Sequence, residues 1–405
     1  MHHPPLWTQR SRARRGDDRR DRSRSPDASR LKGISARQGP RTLDGRSTKD
    51  QEPVDVCGLD EGRLFLDRSL PTSEALAEPS ALVALLDEAH RTAPLDLVAG
   101  PSGYGLPLTA ARDLTDTDLR LAYLAAEGES GGIGGLRSLM RRLARSSTPV
   151  VLTPGVVHLP SVPAQRKVNR VDMGTADKVC AVALAVRDQT ERRRCSERDV
   201  SFILLEMGGA FTAAIAVEHG RIVDGVGGTC GPLGVRAAGA LDGEVAFLAG
   251  TVPKQLLFRG GAATIAGEPD ALAEAIAAPT TLRGQLAWDA YVESSVKAAA
   301  ALAVSVPRAF EVILSGRMAR VAGVREELTR RLAGVIAGRP VHVLTGFAVA
   351  AKQGAQGAAL IADGLAGGAS AALVDALGIR EACGTVLDHL YVITPAAARA
   401  RLGIA

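Results

Sequence analysis

The chain has 405 residues, of which 46% are hydrophobic and 3% aromatic, and its formal net charge is +5 at pH 7. This apolar content can fill two or three domain cores, and so few aromatic side chains exclude a surface that stacks single-stranded nucleic acid. The positive charge comes from residues 1–50, which hold 14 Lys and Arg against 6 Asp, whereas the rest holds 35 basic and 38 acidic residues.

The cysteines and the apolar runs indicate the compartment. Cys57, Cys180, Cys195, Cys230 and Cys383 are odd in number, widely spaced, and form neither a C-x-x-C pair nor a metal-ligand spacing with histidine. They are predicted to be reduced core thiols. No apolar run has membrane-spanning length, and no apolar segment follows the N-terminal charges, so we expect a cytoplasmic protein without a membrane anchor or signal peptide.

Residues 1–52 are rich in Arg, Asp, Ser, Gly and Pro, a composition that cannot bury enough surface to form a stable core. We expect this segment to be disordered. A basic arm that binds nucleic acid is an alternative, but Arg and Asp alternate here. The composition is also what a GC-rich gene gives when it is read out of frame, so a mis-called translation start is a further hypothesis.

Ordered structure is predicted to begin at Val54, where two alternating runs flank an acidic glycine turn at residues 60–62. Ser80 can cap a helix through about residue 91, and a buried strand follows at 95–99. The strand ends in GPSGYGLPL, where glycines surround Ser102 and Tyr104. Open α/β sheets often bind ligands at the carboxyl ends of strands, although a purely structural loop is the alternative.

Helices are predicted at 118–126 and 136–144, and a short strand at 150–152, followed by HLPSVPAQRKVNRVDMGTADK. Thr175 can act as N-cap of a helix whose apolar stripe begins at Val179, and a helix N-terminus favours anions. Asp172 or Asp177 could orient an acceptor or act as a base, or could simply cap this helix. A solvated charged face is the other interpretation of the whole cluster.

The central stretch, FILLEMGGAFTAAIAVEHGRIVDGV, contains an apolar strand that ends at Glu206, then Gly208-Gly209, then two further strands. Successive N–H groups in such a glycine turn form an anion-binding concavity, and Thr212 adds a hydroxyl. An ordinary meander with a glycine bend is the alternative.

The second half shows a similar order of secondary-structure elements. A helix at 286–304 precedes a strand at 311–314, the Ser315-Gly316 turn, a helix at 321–332, a strand at 341–344 and a helix at 347–366. Each half begins with a hairpin and continues with alternating helices and strands, which predicts an α/β fold built from two similar units.

The order strand, Glu-x-Gly-Gly-x-x-Thr, hairpin, then strand, Ser-Gly, and a Gly/Ala-rich terminal helix resembles the acetate and sugar kinase / actin-like ATPase superfamily. The stretches GPSGYGLPL, HLPSVPAQRKVNRVDMGTADK and MGGAFTAAIAV are most similar to an uncharacterised family of predicted butyrate kinases. The resemblance covers residues from about 54 to the C-terminus.

This resemblance implies two ribonuclease-H-like domains with ATP and Mg²⁺ in the cleft between them. Residues 53–198 would form the first domain and 199–405 the second, with the last helices packing back on the first. Six residues would contact the nucleotide, namely Gly208, Gly209, Thr212, Ser315, Gly316 and Arg317. Glu206 would hold a Mg²⁺-bound water, unless it is only a strand-end residue that faces solvent.

We expect catalytic roles for Asp172, Asp177 and Arg236, and contacts to the acceptor from Ser102, Tyr104, Arg166 and Arg170. Three features depart from the superfamily. Residues 239–243, which are comparable to the turn that carries the acceptor-binding Arg of acetate kinases, contain no Arg, and Arg236 is the nearest substitute. The stretch 174–177 lacks the histidine that acetate kinases have there, and the superfamily's first strand with its Gly-[Ile/Val]-Asp-x-Gly-[Thr/Ser] phosphate loop is missing before Val54. Our hypothesis for the last of these is that the first strand and its phosphate loop are encoded in another reading frame just upstream of Val54.

The resemblance therefore implies an ATP-dependent small-molecule kinase, with a short-chain carboxylate as one acceptor class and in-line phosphoryl transfer as the reaction. An actin-like or activator-type ATPase switch and a non-catalytic nucleotide-binding protein are the alternatives. We expect the partner to be a small-molecule acceptor, and we expect binding neither to nucleic acid nor to a membrane. The chain could form a homodimer.

Overall fold

The computed structural model describes residues 6–10, 53–77, 80–126, 133–336 and 338–404, which contain two β-sheets and fourteen α-helices. The predicted α/β class is confirmed as a mixed α/β fold. Most predicted elements are present, with bounds that differ by a few residues, because alternation and helical spacing of apolar residues follow burial directly.

The first sheet has six strands in the order β3-β2-β1-β4-β6-β5. They are β1 (Leu6–Arg10), β2 (Val54–Asp60), β3 (Arg63–Leu70), β4 (Leu95–Pro101), β5 (Thr109–Ala110) and β6 (Val150–Thr153). β2 and β3 form the predicted antiparallel hairpin, and β4 runs parallel to β6. β1 lies between β2 and β4, parallel to β2 and antiparallel to β4.

The second sheet has five strands in the order β11-β10-β7-β8-β9. They are β7 (Phe202–Met207), β8 (Thr212–Glu218), β9 (Arg221–Val226), β10 (Glu311–Ser315) and β11 (Val341–Val343). β7, β8 and β9 form an antiparallel meander, and β10 pairs in parallel with both β7 and β11. β7 is buried nearly throughout, which explains its continuous apolar run.

The helices of the first half of the chain are α1 (Thr72–Ala75), α2 (Ala81–Thr92), α3 (Asp116–Tyr123), α4 (Ile133–Arg145), α5 (Ala164–Lys167) and α6 (Ala176–Arg193). Those of the second half are α7 (Gly243–Ala249), α8 (Ala262–Ala266), α9 (Ala273–Ala277), α10 (Leu282–Ala303), α11 (Val324–Ala333), α12 (Gln353–Leu365), α13 (Ala371–Leu377) and α14 (Pro395–Arg401). The predicted Ser80 cap is present, since the Ser80 hydroxyl accepts the Val83 N–H.

The apolar core forms three main clusters that define the layers. One cluster lies between the sheets and is built on α6 and α12. A second covers the other face of the second sheet with α10 and α11, and a third covers the other face of the first sheet with α2, α3 and α4. The C-terminal residues Leu402 and Ile404 belong to the third cluster, so the end of the chain packs on the first sheet.

The central helices α6 and α12 are in backbone contact. A Cβ atom built at Gly357 in α12 would lie 1.7 Å from the carbonyl oxygen of Cys180 in α6, so only glycine permits this approach. The contact fixes the spacing of two helices whose N-termini face the same side of the molecule.

Two expectations differ from the structure. The segment 1–52, expected to be disordered, contributes β1 at residues 6–10, and its remaining part lies outside the described residues. The cysteines form no disulfide, but only Cys57 and Cys180 are buried in the core, whereas Cys195 and Cys230 are half-buried and Cys383 is exposed. Among the described helices none is long and apolar enough to cross a membrane.

Candidate active site

A cavity of about 150 Å³ lies where the ends of β7 and β10, the start of β2 and the N-termini of α6 and α12 meet. Five residues expected to bind nucleotide, metal or acceptor line it, namely Asp177, Glu206, Gly208, Gly316 and Arg317. Eight further residues complete its wall, namely Pro53, Asp55, Lys178, Ala181, Arg320, Lys352, Gln353 and Gly354. The structure thus brings together residues that are up to three hundred positions apart in the chain.

A buried lysine from the charged cluster at 158–178 forms part of this wall, although the sequence assigned it no role of its own. Lys178 Nζ lies 2.8 Å from Asp177 Oδ2 and 2.8 Å from Glu206 Oε2, and its side chain is 5% exposed. Burial alone would lower the pKa of Lys178, but the two carboxylates outweigh it and raise that pKa above its usual value. The ammonium therefore stays protonated and joins α6 to the second sheet.

Gly316 brings the backbone after β10 against the end of β7. Its φ is +89°, in the left-handed region, and a Cβ atom there would lie 2.5 Å from the Met207 carbonyl oxygen and 2.9 Å from Glu206 Oε1. Ser315 pairs in register with Glu206, and its buried hydroxyl has no hydrogen-bond partner among the described residues. This glycine therefore keeps the Glu206 carboxylate at the cavity.

The predicted phosphate turn, residues 208–212, is a tight hairpin whose donors are partly engaged. The Gly208 N–H donates to the Phe211 carbonyl at 2.9 Å, so it closes the turn. The Thr212 side chain is fully buried, and its hydroxyl donates to the Tyr291 hydroxyl at 3.3 Å, outside the cavity. Of this turn only Gly208 lines the cavity, because the strand alternation that begins at Thr212 points its side chain into the core.

Asp55 links the first sheet to the start of α12. It is 2% exposed, and its carboxylate accepts the Ser69 hydroxyl at 2.6 Å and the Lys352 N–H at 3.1 Å. Lys352 Nζ lies 4.0 Å from the same carboxylate. Arg317 and Arg320 are exposed on the opposite rim, so four basic and three acidic side chains surround the cavity.

Several residues expected to bind the acceptor form a second cluster around Thr229. The Asp172 carboxylate accepts the Thr229 N–H at 2.9 Å and the Thr229 hydroxyl at 2.8 Å, and burial raises the pKa of Asp172. The pKa of Tyr104 is also raised by burial and by the nearby Asp172 carboxylate. Arg170 lies near Cys230, the residue after Thr229, and its charge partly offsets the rise in the Cys230 pKa that burial and Asp172 cause. These groups come from three separate segments of the chain.

Three other expected residues are placed apart from this cluster or serve structural contacts. The Ser102 hydroxyl donates to the Thr153 carbonyl at 2.7 Å and accepts the Leu106 N–H at 3.0 Å, which closes its loop. Arg166 donates to the Val223 carbonyl at 2.7 Å and lies beside Asp224. Arg236 is half-buried, and no described residue forms an ion pair or hydrogen bond with its guanidinium.

Most of the chain matches a known protein family. A family described as "Protein of unknown function (DUF1464)" matches residues 50–392. The chain belongs to this family. Every residue that lines the cavity falls within the DUF1464 match. A comparison with curated protein sequences gives no match.

Among solved structures, the acetate kinase from Entamoeba histolytica aligns over 73% of this DUF1464 chain and 79% of its own, at 12% identity and a TM-score of 0.49. The acetate kinase from Porphyromonas gingivalis aligns over 73% and 86%, at 13% identity and a TM-score of 0.47. A ROK family protein from Streptococcus pneumoniae, in complex with sucrose, aligns over 74% and 91%, at 13% identity and a TM-score of 0.36.

The donor set of the cavity fits a magnesium ion held together with phosphate. No group of three or more metal-ligating side chains occurs within the described ranges. Mg²⁺ bound with phosphates, however, usually takes only one or two protein carboxylates and keeps several waters. Asp177 and Glu206 supply two carboxylates at the cavity, one on either side of Lys178.

Proposed function

We propose that this protein binds ATP with Mg²⁺ in the cavity and transfers the terminal phosphoryl group to a small acceptor, with short-chain carboxylates as the acceptor class. We also infer that the two sheets belong to two ribonuclease-H-like units that face each other across this cavity. One observation carries the proposal. Two glycine-containing strand ends, two helix N-termini and a lysine between two carboxylates converge on one cavity.

The charges around the cavity suit a polyphosphate. Arg317, Arg320 and Lys352 offer cationic groups at the rim, and the N-termini of α6 and α12 add positive dipole ends. Asp177 and Glu206 are the residues that would hold Mg²⁺, which supplies neutralisation of charge on the phosphate oxygens when bound. Phosphoryl transfer needs positioning and charge neutralisation, so no protein nucleophile is required.

The cluster around Thr229 is the proposed acceptor side. Asp172 fixes Thr229 by two hydrogen bonds, and it lies close enough to Lys178 for that ammonium to influence its ionisation. Arg236 lies apart from this cluster, but it is half-buried, and we assign its cation to an acceptor carboxylate because charge-assisted pairs with carboxylates are strong and directional. We propose that Asp172 positions this side and that Tyr104 forms part of its wall.

A second candidate is an ATPase that uses nucleotide to switch conformation. This alternative is supported by Asp172 and Ser102. Both were expected to contact an acceptor, but their side chains form hydrogen bonds within the protein. A kinase releases ADP only when an acceptor is present, whereas a switch ATPase hydrolyses ATP alone.

The binding test uses Arg320→Glu, an exposed change at the rim that leaves the core intact. Because the variant places an anion beside the triphosphate, we expect the Kd for ATPγS with Mg²⁺, measured by calorimetry, to rise at least tenfold. Arg325→Glu, equally exposed but not part of the cavity wall, is the matched control and should leave the Kd unchanged. Absence of ATPγS binding to the parent protein would refute the proposal.

The acceptor test follows ADP release with acetate, propionate, butyrate, sugars and polyols. We expect release to depend on a short carboxylate, and Arg236→Ala to raise the KM for that carboxylate at least tenfold with an unchanged Kd for ATPγS. ADP release that is independent of every acceptor would favour the switch ATPase.

A further inference from the structure

Helix α12 presents an unusual N-terminus to the cavity. Lys352, Gln353 and Gly354 line the cavity wall, and Lys352 at the N-cap makes no side-chain cap. Within the described part of the chain, nothing accepts a hydrogen bond from the N–H groups of Gln353, Gly354 or Ala355. Such groups are orphaned at every helix start and normally find a side chain, water or ligand.

The side chain of Gln353 is an independent sign of a missing partner. It is 5% exposed, it lines the cavity, and its carboxamide has no hydrogen bond to any residue that the structure describes. The carboxamide can therefore meet a ligand that enters the cavity.

The charges at the two helix termini differ in a way that specifies the ligand. Helix α6 has Asp177 in its first turn, so its positive dipole end already has a carboxylate nearby. Helix α12 has no acidic residue in its first turn. Asp55 accepts the Lys352 N–H and lies beside the Lys352 ammonium, but it leaves the next three N–H groups unengaged. The vacant donors therefore call for an anion from outside the chain.

We propose that the N-terminus of α12, the Gln353 carboxamide and the Lys352 ammonium form a phosphate-binding site on the wall shared with the first sheet. The N–H groups of residues 353–355 and the Gln353 NH₂ donate to phosphate oxygens, and Lys352 contributes charge. The inference deepens the proposed function and rests on it for the nature of the cavity. The phosphate belongs either to a nucleotide or to a free phosphate compound, and the experiment separates these sources.

The test measures the Kd of pyrophosphate and of ATPγS with Mg²⁺ by calorimetry for the full chain and for Gln353→Glu. The new carboxylate lies at the first position of a helix, where a negative charge interacts favourably with the positive end of the helix dipole. The melting temperature without ligand should therefore stay the same or rise. It repels a phosphate, so both Kd values should rise at least tenfold. Gln165→Glu, an exposed change of the same chemistry in α5, is the matched control and should leave both values unchanged.

The outcomes separate this inference from the proposed function. If Gln353→Glu weakens pyrophosphate alone, the site takes a free phosphate compound, and if it weakens both ligands equally, the site takes a nucleotide phosphate. If Arg320→Glu weakens ATPγS while Gln353→Glu changes neither ligand, nucleotide binding stands and the α12 site is wrong. If neither ligand binds the parent protein, both proposals are wrong.

Discussion

Five strands of each sheet follow the same order, β3-β2-β1-β4-β6 in the first and β9-β8-β7-β10-β11 in the second, but β1 and β7 run in different directions relative to their neighbours. In the second sheet β7 is antiparallel to β8 and parallel to β10, so it ends at the cavity and turns through Gly208 into β8. In the first sheet β1 is parallel to β2 and antiparallel to β4, so it ends at the opposite edge. The direction of one strand thus decides whether a tight turn can reach the cavity.

The difference leaves the two walls of the cavity with different chemistry. The second-sheet wall has a hairpin turn and two strand-end residues, Glu206 and Gly316, held by β-sheet register. The first-sheet wall has Pro53 and Asp55 at the start of β2 and borrows the N-terminus of α12. A helix terminus therefore occupies the position where the other sheet uses a turn.

The largest effect should come from the lysine that joins the two walls. Lys178→Met removes the buried ammonium that pairs with the half-buried carboxylates of Asp177 and Glu206, so we expect the free energy of unfolding to fall by about 3 kcal/mol. Urea unfolding measures the loss. Lys297→Met breaks an exposed i,i+4 pair with Glu293 and should cost less than about 0.5 kcal/mol. Equal effects of the two variants would mean that Lys178 is not enclosed by the walls.

Two glycines with positive φ, one in each sheet, give the next comparison. Gly316→Ala puts a Cβ 2.5 Å from a carbonyl oxygen, so strain and overlap together should cost on the order of 3 kcal/mol. Gly62, in the β2–β3 turn, has its nearest neighbouring atom at 3.8 Å from a built Cβ. Gly62→Ala should therefore cost only about 1 kcal/mol, from backbone strain alone. Thermal melts of both variants measure the difference, and a reversed order would contradict the packing at Gly316.

Removal of residues 1–52 tests whether β1 occupies its position between β2 and β4. Without β1 the edges of β2 and β4 lose their pairing, so amide hydrogen exchange in these two strands should accelerate at least tenfold, which corresponds to about 1.4 kcal/mol. Exchange in β7 and β8 should stay unchanged and serves as the internal control. Unchanged protection in β2 and β4 would show that β1 does not occupy this position.

The smallest effect concerns acid stability, which should depend on the second sheet. Asp188 in α6 lies 2.7 Å from Arg192 Nε and 3.2 Å from His342 Nε2 in β11. Burial alone would raise the pKa of Asp188, but the nearby His342 side chain and the hydrogen bond from Arg192 outweigh it and hold that pKa below its usual value. A carboxyl group whose pKa is lower in the folded state stabilises the fold at a pH above its unfolded-state pKa. This stabilisation is lost as the pH falls through the folded-state pKa.

Asp188→Asn should therefore unfold more easily in urea at pH 7 than the parent protein. The difference should begin to shrink below about pH 4, where the carboxyl group of the unfolded chain takes up a proton, and should vanish as the pH falls through the lower pKa of the folded protein. Glu191→Gln, which alters an exposed pair with Arg187 one turn later in the same helix, is the control and should show little change at either pH. A constant difference across this range would contradict the pairing of Asp188.

The sequence predicts the local elements well and the cavity only in part. The β7–β9 meander and the Gly316 turn follow from apolar runs broken by glycine, and the Ser80 cap follows from its residue type. Lys178 belongs to the charged cluster at 158–178 but received no role of its own, and Gln353 was missed, because the role of each depends on a distant strand or cavity. Thr175 does occupy the N-cap of α6, but its hydroxyl bonds Asp177 instead of a helix N–H.

The burial of the cysteines gives the molecule a built-in set of chemical reporters. A thiolate is the form that reacts with a maleimide, and burial raises the pKa of Cys57 in β2 to about 12 and that of Cys180 in α6 still higher. Exposed Cys383 should be alkylated first, whereas Cys57 and Cys180 wait for the first sheet or the α6–α12 contact to open. The order in which these cysteines are alkylated, followed by mass spectrometry of one reaction, would therefore report when each region of the fold opens.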